Sequence, residues 1–583
     1  MRWSLDELYT SLDSADYKED FARFCTLIEE THRWTTEAFA NDDEPVEKLE
    51  EFIQRVQDVQ SLAVRLVGFS RLTSSVDARN GEAPKALAQV IKKMSTLTEA
   101  RLFMNRWLIR HKDKVEEFIA NSSLIQDHRL LFERTIENSK HLLSDAEEVL
   151  LSKLWPTGAN AWTEMQQALA AMHTAELDGE RLPITVVRDK MSSADGELRK
   201  RAFAAEQSSY HTIERPVAEA LNAIKGEVIT LTKHRGYSSP LESALDHWLM
   251  DEETLRAVWS AVEASLPTFR KYYERKGKLL GNTDGLPIYD LPAPIGSCER
   301  RMELEEARSY IVDHFREFSA KLADFADQAF EQRWLDTEPR EGKMGGGFCA
   351  PIHAIGQSRI LTNFTGSFSE VFVLAHELGH AYHFECLKNE SILNSMCPMP
   401  VAETASVFCE TIVYNAALAT AKGEELIYLL EQHIHGQLSV IADVYSRFLF
   451  EDEVFKRREL NPLSVEDIKE IMVKSQKRVY GDVLTVTNPY AWVTKPHYYL
   501  GTESYYNFSY CFGDLFTKGL YAEYKRRGKD FVADYDKLLA SSAKLRVIPL
   551  AASIDIDLHD ETFWRRSLSL LEEEIERFLE LTQ

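Results

Sequence analysis

A chain of 583 residues with 44% hydrophobic content can bury a large core, and such a length is ordinarily shared among several domains. Its formal charge of −25, from 68 Lys and Arg against 93 Asp and Glu, argues against nucleic acid and acidic membrane surfaces as partners, because both repel it. Seven cysteines, an odd number without CxxC spacing, predict reduced thiols rather than a disulfide framework.

In chain order, the first residues, Met1-Arg2-Trp3-Ser4-Leu5, lack the apolar stretch of a secretory signal, and no later segment approaches a membrane span. A cytoplasmic location is expected. Residues 1–190 read as an amino-terminal helical region, with amphipathic helices at 46–69 and 84–109. A short strand is predicted at 181–187. Helices resume from Asp195, a loop occupies 285–296, and amphipathic helices return over 300–334. The glycine-rich run 342–347 leads into a second strand at 359–364, bounded by Gly356 and Gly366. Further helices are predicted at 464–479 and 562–582.

The chemistry concentrates at His376-Glu377-Leu378-Gly379-His380. Two histidines four apart on a helix reach one metal ion together while the intervening Glu faces the same site, which predicts zinc held by His376 and His380 with Glu377 as general base. Ser367-Phe368-Ser369-Glu370 reads as a capping box, and Val371, Phe372, Leu374, Ala375, Leu378, Ala381 and Tyr382 continue it as an apolar face. Both histidines therefore fall inside a helix. The strand just upstream could pair with extended peptide backbone or serve packing alone.

Catalytic zinc usually takes three protein ligands. A pattern with Gly three and His six residues beyond the second histidine is excluded, because His383 and Cys386 stand there. Glu403 is the better third ligand, flanked by small residues that let its helix approach closely, with Glu410 two turns later as an acceptor that could orient an imidazole. His383 lies about 10 Å along the axis from His376 at the helical rise, too far to share the ion. It is assigned a supporting or core role, and Cys386 is read as a small buried residue.

A second block follows. Between Tyr490 and Phe516 stand ten aromatics in 27 residues, against 61 in the whole chain, around the loop Lys495-Pro496-His497-Tyr498-Tyr499-Leu500-Gly501. Tyr506 and Tyr510, four apart, would share a helix face. Hydrolysis of an amide needs donors aimed at the developing oxyanion, and Tyr and His side chains supply them.

These blocks together resemble the oligoendopeptidase F family of zinc metallopeptidases, related to thimet oligopeptidase. Gly345-Gly346-Gly347-Phe348-Cys349, Ile360-Leu361-Thr362-Asn363-Phe364-Thr365-Gly366, the metal helix, Val401-Ala402-Glu403-Thr404-Ala405-Ser406 and the His497 to Tyr510 block follow the family's order. Ser193-Ala194-Asp195-Gly196-Glu197-Leu198-Arg199, Arg235-Gly236-Tyr237 and the first eleven residues extend it over nearly the whole chain. The interval between His497 and the tyrosines departs from the family by about a residue, which leaves Tyr505, Tyr506 and Tyr510 as alternative oxyanion donors. The resemblance implies a mostly α fold with two closely packed lobes around a deep substrate channel and a small β element beside the metal helix. Residues 1–190 would form a channel wall and 191–583 the catalytic domain. It implies one Zn2+ per chain, short oligopeptide substrates cut at internal bonds, and a monomer or weak homo-oligomer. Asn363, Gly366 and Tyr498 are expected to contact substrate, and Glu377, His497, Tyr506 and Tyr510 to be catalytic. The alternative is a helical peptide-binding protein with a vestigial or structural metal site, but the base Glu377 is present and only three strong ligands are visible. A serine hydrolase is disfavoured because no Gly-x-Ser-x-Gly element occurs.

Overall fold

The computed structural model describes residues 1–583. Helices take up 72% of the chain and the sheets are few and small. The helix predicted at 46–69 spans Pro45–Val76, that at 84–109 spans Glu82–Arg110, and those at 464–479 and 562–582 are Val465–Tyr480 and Glu561–Leu581. Residues 300–334 hold the helices Leu304–Phe318 and Ala320–Glu331. No helix is long and apolar enough to cross a membrane, and all seven cysteines are unpaired.

Packing divides the chain into two units. The first combines residues 1–140, 300–417 and 523–555; the second combines 141–299, 418–522 and 556–583. The expected boundary at 190 falls inside the second unit. In the first unit, Leu49, Phe52, Val56, Val59, Leu66 and their neighbours on adjacent helices form an apolar core that extends to Ile352 and Leu361 of a sheet. The second unit buries Val217, Leu221, Ile224, Phe450, Val454, Ile468, Ile471 and Trp492 together.

The segment predicted as a strand at 181–187 is only half extended. Glu180–Pro183 pairs antiparallel with Thr174–Leu177, and Ile184–Asp189 is helical. Asp178 and Gly179, with φ of 54° and 86°, make the two-residue turn that fixes this hairpin. Pro183 lacks a donor to extend the ladder, and a proline is tolerated at the start of a helix. The β-branched Val186 and Val187 thus sit in a helix, Val187 fully buried.

The first unit's three-stranded sheet has Gln357–Leu361 in the middle, parallel to Leu335–Asp336 and antiparallel to Phe348–Ile352. Residues 362 and 364 continue the pairing, Thr362 donating to Asp336 O at 3.0 Å and Phe364 to Thr337 O at 2.9 Å. With both neighbours in place, the strand expected to receive peptide backbone has no free edge. The edge strand beside it is Phe348–Ile352, which packs against the helix Phe368–Leu387.

Candidate metal centre

The helix Phe368–Leu387 begins at Ser367, whose capping box with Glu370 is formed. Glu370 Oε2 also accepts from the backbone N–H of Thr365 at 2.7 Å and of Gly366 at 2.9 Å. Gly366 adopts φ +94° and accepts from Met302 N at 3.0 Å, a left-handed turn open to glycine at little cost. The entry of the helix is thus fixed two turns ahead of His376, and Val371, Leu374, Ala375 and Leu378 anchor it with fully buried side chains.

The third ligand comes from a break rather than from a continuous helix. Glu403 lies between the helices Met399–Ala402 and Thr404–Thr420, whereas the sequence reading placed it inside one helix with Glu410. Small residues do permit the close approach. A β-carbon on Gly379 would stand 2.4 Å from Ala405 O and 2.6 Å from Ser406 Cα, so the metal helix can lie this near only because position 379 has none. Ser406 Oγ donates to Glu403 Oε2 at 2.7 Å and steadies the carboxylate.

In this arrangement Glu403 Oε2 is 3.3 Å from His376 Nε2 and 3.3 Å from His380 Nε2, and the three ligand atoms all lie within 4.8 Å of one another. Two ligands at zinc-like bond lengths of about 2.0–2.1 Å on a tetrahedral ion stand roughly 3.3 Å apart. Both the spacing and the donor types fit a zinc-sized cation. On its other face His376 Nδ1 is 3.1 Å from Glu410 Oε2; a proton on Nδ1 leaves the Nε2 lone pair for a metal.

The electrostatics agree. Burial alone would lower the His376 pKa, but its hydrogen bonds to the Glu403 and Glu410 carboxylates outweigh it and lift the value to about 10. Glu403 is likewise pushed up by burial, yet its bonds to both histidines hold it far below the carboxylate range. Carboxylates that keep a proton on His376 also favour a divalent cation in that proton's place.

Glu377 is 6% exposed, and its Oε2 has no hydrogen-bond partner. Burial raises its pKa, opposed by the neighbouring His380 and His376. A β-carbon on Gly347 would stand 3.0 Å from Glu377 Oε1, so the glycine-rich segment passes close to the carboxylate. Asn363 holds that segment, donating from Nδ2 to Met344 O at 3.0 Å and Gly346 O at 3.2 Å. The buried Lys343 ties it to Asp336 O at 3.0 Å and Thr362 O at 2.5 Å. The contacts of Asn363 and Gly366, expected at the substrate, are thus internal: one supports a loop and the other makes a turn. His383 stands apart from the three ligands, 4% exposed, with Nε2 2.8 Å from Ser542 Oγ, and burial drives its pKa down to about 4. Cys386 is half-buried, with Sγ 4.0 Å from Lys321 Nζ.

His497, Tyr505, Tyr506 and Tyr510 belong to the second unit. The His497 ring centroid is 4.8 Å from Tyr506 and 6.0 Å from Tyr510, and the two tyrosine rings are 5.5 Å apart. Only Tyr510 is helical: the helix starts at Phe508 and Tyr506 precedes it. Tyr505 departs from the other two. It takes φ 56°, is 3% exposed, and donates its hydroxyl to Asp452 Oδ1 at 3.1 Å. Tyr498, expected at the substrate, is 1% exposed with its ring 4.8 Å from Phe450; a ring in the core cannot bind peptide, and that expectation is withdrawn.

Sequence reasoning missed Ser406 and Asn507. The signal for Ser406 was its place three residues after Glu403. Asn507, the polar residue between Tyr506 and Phe508, has its Oδ1 2.9 Å from His497 Nδ1.

An oligopeptidase PepF of Bacillus subtilis is 23% identical over 482 residues, 81% of this chain and 71% of the relative. An oligoendopeptidase F homolog of Borreliella burgdorferi is 22% identical over 560 residues, 92% of this chain and 91% of the relative. Among solved structures, a peptidase from Chlamydophila abortus superposes with a TM-score of 0.85 at 18% identity, covering 100% of this chain and 98% of its own. An oligoendopeptidase-F from Enterococcus faecium gives 0.70 at 19%, covering 97% and 99%, and both likenesses establish the fold. A model described as Oligopeptidase F matches residues 110–172. The model of Peptidase family M3 matches residues 190–541, more than half of the chain, and the chain belongs to that family.

Proposed function

We propose that this M3 peptidase is a zinc-dependent endopeptidase that cuts internal bonds of short, unfolded oligopeptides. The observation that carries the reading is the convergence of His376 Nε2, His380 Nε2 and Glu403 Oε2 beside a buried Glu377 with one carboxylate oxygen free of hydrogen bonds. Zinc at these three ligands would polarise the scissile carbonyl and make water nucleophilic near neutral pH. Glu377 takes the proton of the attacking water and passes it to the leaving amine. Its buried setting suits this exchange, since a carboxylate with little hydration takes up a proton readily. Glu410 keeps His376 in the tautomer that offers Nε2, and Ser406 keeps Glu403 turned toward both imidazoles. One or two of His497, Tyr506 and Tyr510 are assigned as oxyanion donors, on the sequence block they share and on their mutual packing. The edge strand Phe348–Ile352, entered through Gly347 beside Glu377, is assigned to hold extended peptide backbone, a role for which an edge is required.

The oligopeptidase names of the relatives support peptides as substrates. A cytoplasmic location and a monomeric or weakly associated state belong to the same reading. The test is cleavage of peptides of increasing length and of one folded protein, with and without chelator. Short peptides should be cut only without chelator, and efficient cleavage of the folded protein would contradict the substrate class.

A further inference from the structure

The side chain that sets the chemistry of His497 is Asn507. Its Oδ1 lies 2.9 Å from His497 Nδ1 and 3.2 Å from Arg447 Nη1, and Asn507 is only 3% exposed. Arg447 is in turn ion-paired with Asp443 one helical turn earlier on the long helix Gly423–Leu460. A guanidinium carries donors only. The Asn507 atom facing Arg447 must therefore be the oxygen, since a flipped amide would set –NH2 against N–H. An oxygen in that place can only accept, so the proton on the His497 side of the contact belongs to Nδ1.

We propose that Asn507, oriented by Arg447, is a positioning residue that fixes His497 as the Nδ1–H tautomer, so that Nε2 is an acceptor in the neutral imidazole and a donor only in the imidazolium. The chemistry then divides within the cluster. Tyr506 and Tyr510 are donors in their neutral form. His497 adds a donor only at pH values where it is protonated. The titratable and charged groups around it are Tyr506 and Tyr510 from the tyrosine segment, Arg447 and Asp443 from the long helix, and Lys495 from its own loop. This inference rests on the peptidase reading only for its catalytic consequence; the tautomer itself is a property of the free enzyme.

The test is nitrogen NMR of the full-length enzyme labelled with 15N-histidine, with the His497 signals identified by their loss in His497→Gln. At a pH where the ring is neutral, the wild type should show protonated Nδ1 and bare Nε2; protonated Nε2 overturns the proposal. Asn507→Leu should shift the population toward Nε2–H, so that the neutral ring also donates and the decline of kcat on the alkaline side becomes shallower than in the wild type, with KM changed far less. Asn507→Asp keeps an acceptor of the same shape, so it should retain Nδ1–H, hold the imidazolium to higher pH and carry the alkaline side of the pH profile upward with it. An unchanged tautomer in Asn507→Leu also overturns the proposal. Full activity in His497→Gln, with the wild-type tautomer as stated, would remove the catalytic reading of His497 and leave the positioning role of Asn507 standing.

Discussion

Gly379 and Ala405 stand so close that a β-carbon at position 379 would lie 2.4 Å from the Ala405 carbonyl oxygen. The contact sets the distance between the helix that carries both histidines and the segment that carries Glu403. Gly379→Ala must push the two backbones apart, at a cost of about 1–3 kcal/mol for overpacking. The same shift should spoil the three-ligand geometry. Thermal unfolding of the metal-free protein reads the first effect and metal content the second. Normal stability with full metal binding would show that the backbones are not in register at this point.

The ligands and the base separate cleanly by mutation. Glu403→Ala should lose the metal. Glu377→Gln should keep it and lose at least the 10²- to 10⁴-fold that a general base contributes. A metal-loaded Glu377→Gln enzyme with ordinary turnover would mean that another group accepts the proton.

Glu410 touches His376 and lies outside the three-ligand group. Glu410→Ala should therefore weaken metal affinity by roughly 10- to 100-fold, the usual cost of losing such a partner, without abolishing binding. Competition with a chromophoric chelator measures this directly.

The three tyrosines should fall into two classes. Tyr505→Phe removes a hydroxyl already bonded to Asp452 and should cost about 1 kcal/mol of stability with kcat nearly unchanged. Tyr506→Phe and Tyr510→Phe should each leave the fold intact, and the one that donates to the oxyanion should lose about 10²- to 10³-fold in kcat. A large kcat loss in Tyr505→Phe would reverse the assignment.

His383 gives a pH dependence of stability. It is held neutral by burial, its pKa driven down to about 4 from about 6.5 in an unfolded chain. Between these values the unfolded state binds the proton and the folded state does not, so stability rises with pH across this window and is lost as pH falls from about 6.5 to 4. The effect is at most about 3 kcal/mol, from 1.36 kcal/mol per pH unit. Urea unfolding of metal-free protein at pH 7, 5.5 and 4.5 should show it. His383→Gln should flatten that slope; an unchanged slope would place the acid sensitivity elsewhere.

What could be read in the sequence was local. The capping box at Ser367 and Glu370 and the apolar stripe of the metal helix lie within one stretch, and the helix formed as its pattern requires. The break at Glu403 could not be read, because it is set by how closely Gly379 lets another segment approach. The central position of Gln357–Leu361 depends on a two-residue strand, Leu335–Asp336, too short to leave a periodic signal. Pairing across such distances also explains Asn507: its partner Arg447 lies 60 residues away, and among aromatics a single amide looks like a spacer. At 181–187 the sequence held a competing signal, since Asp178-Gly179 fixes a hairpin whose second strand ends at Pro183.

The most direct measurement strips the enzyme of metal and follows cleavage of a short peptide as zinc is added back. Activity should return in proportion to added zinc and saturate at one ion per chain, with no return in Glu403→Ala at the same zinc. Undiminished cleavage by the stripped wild-type enzyme, with chelator present and no metal detectable, would contradict the assignment of His376, His380 and Glu403.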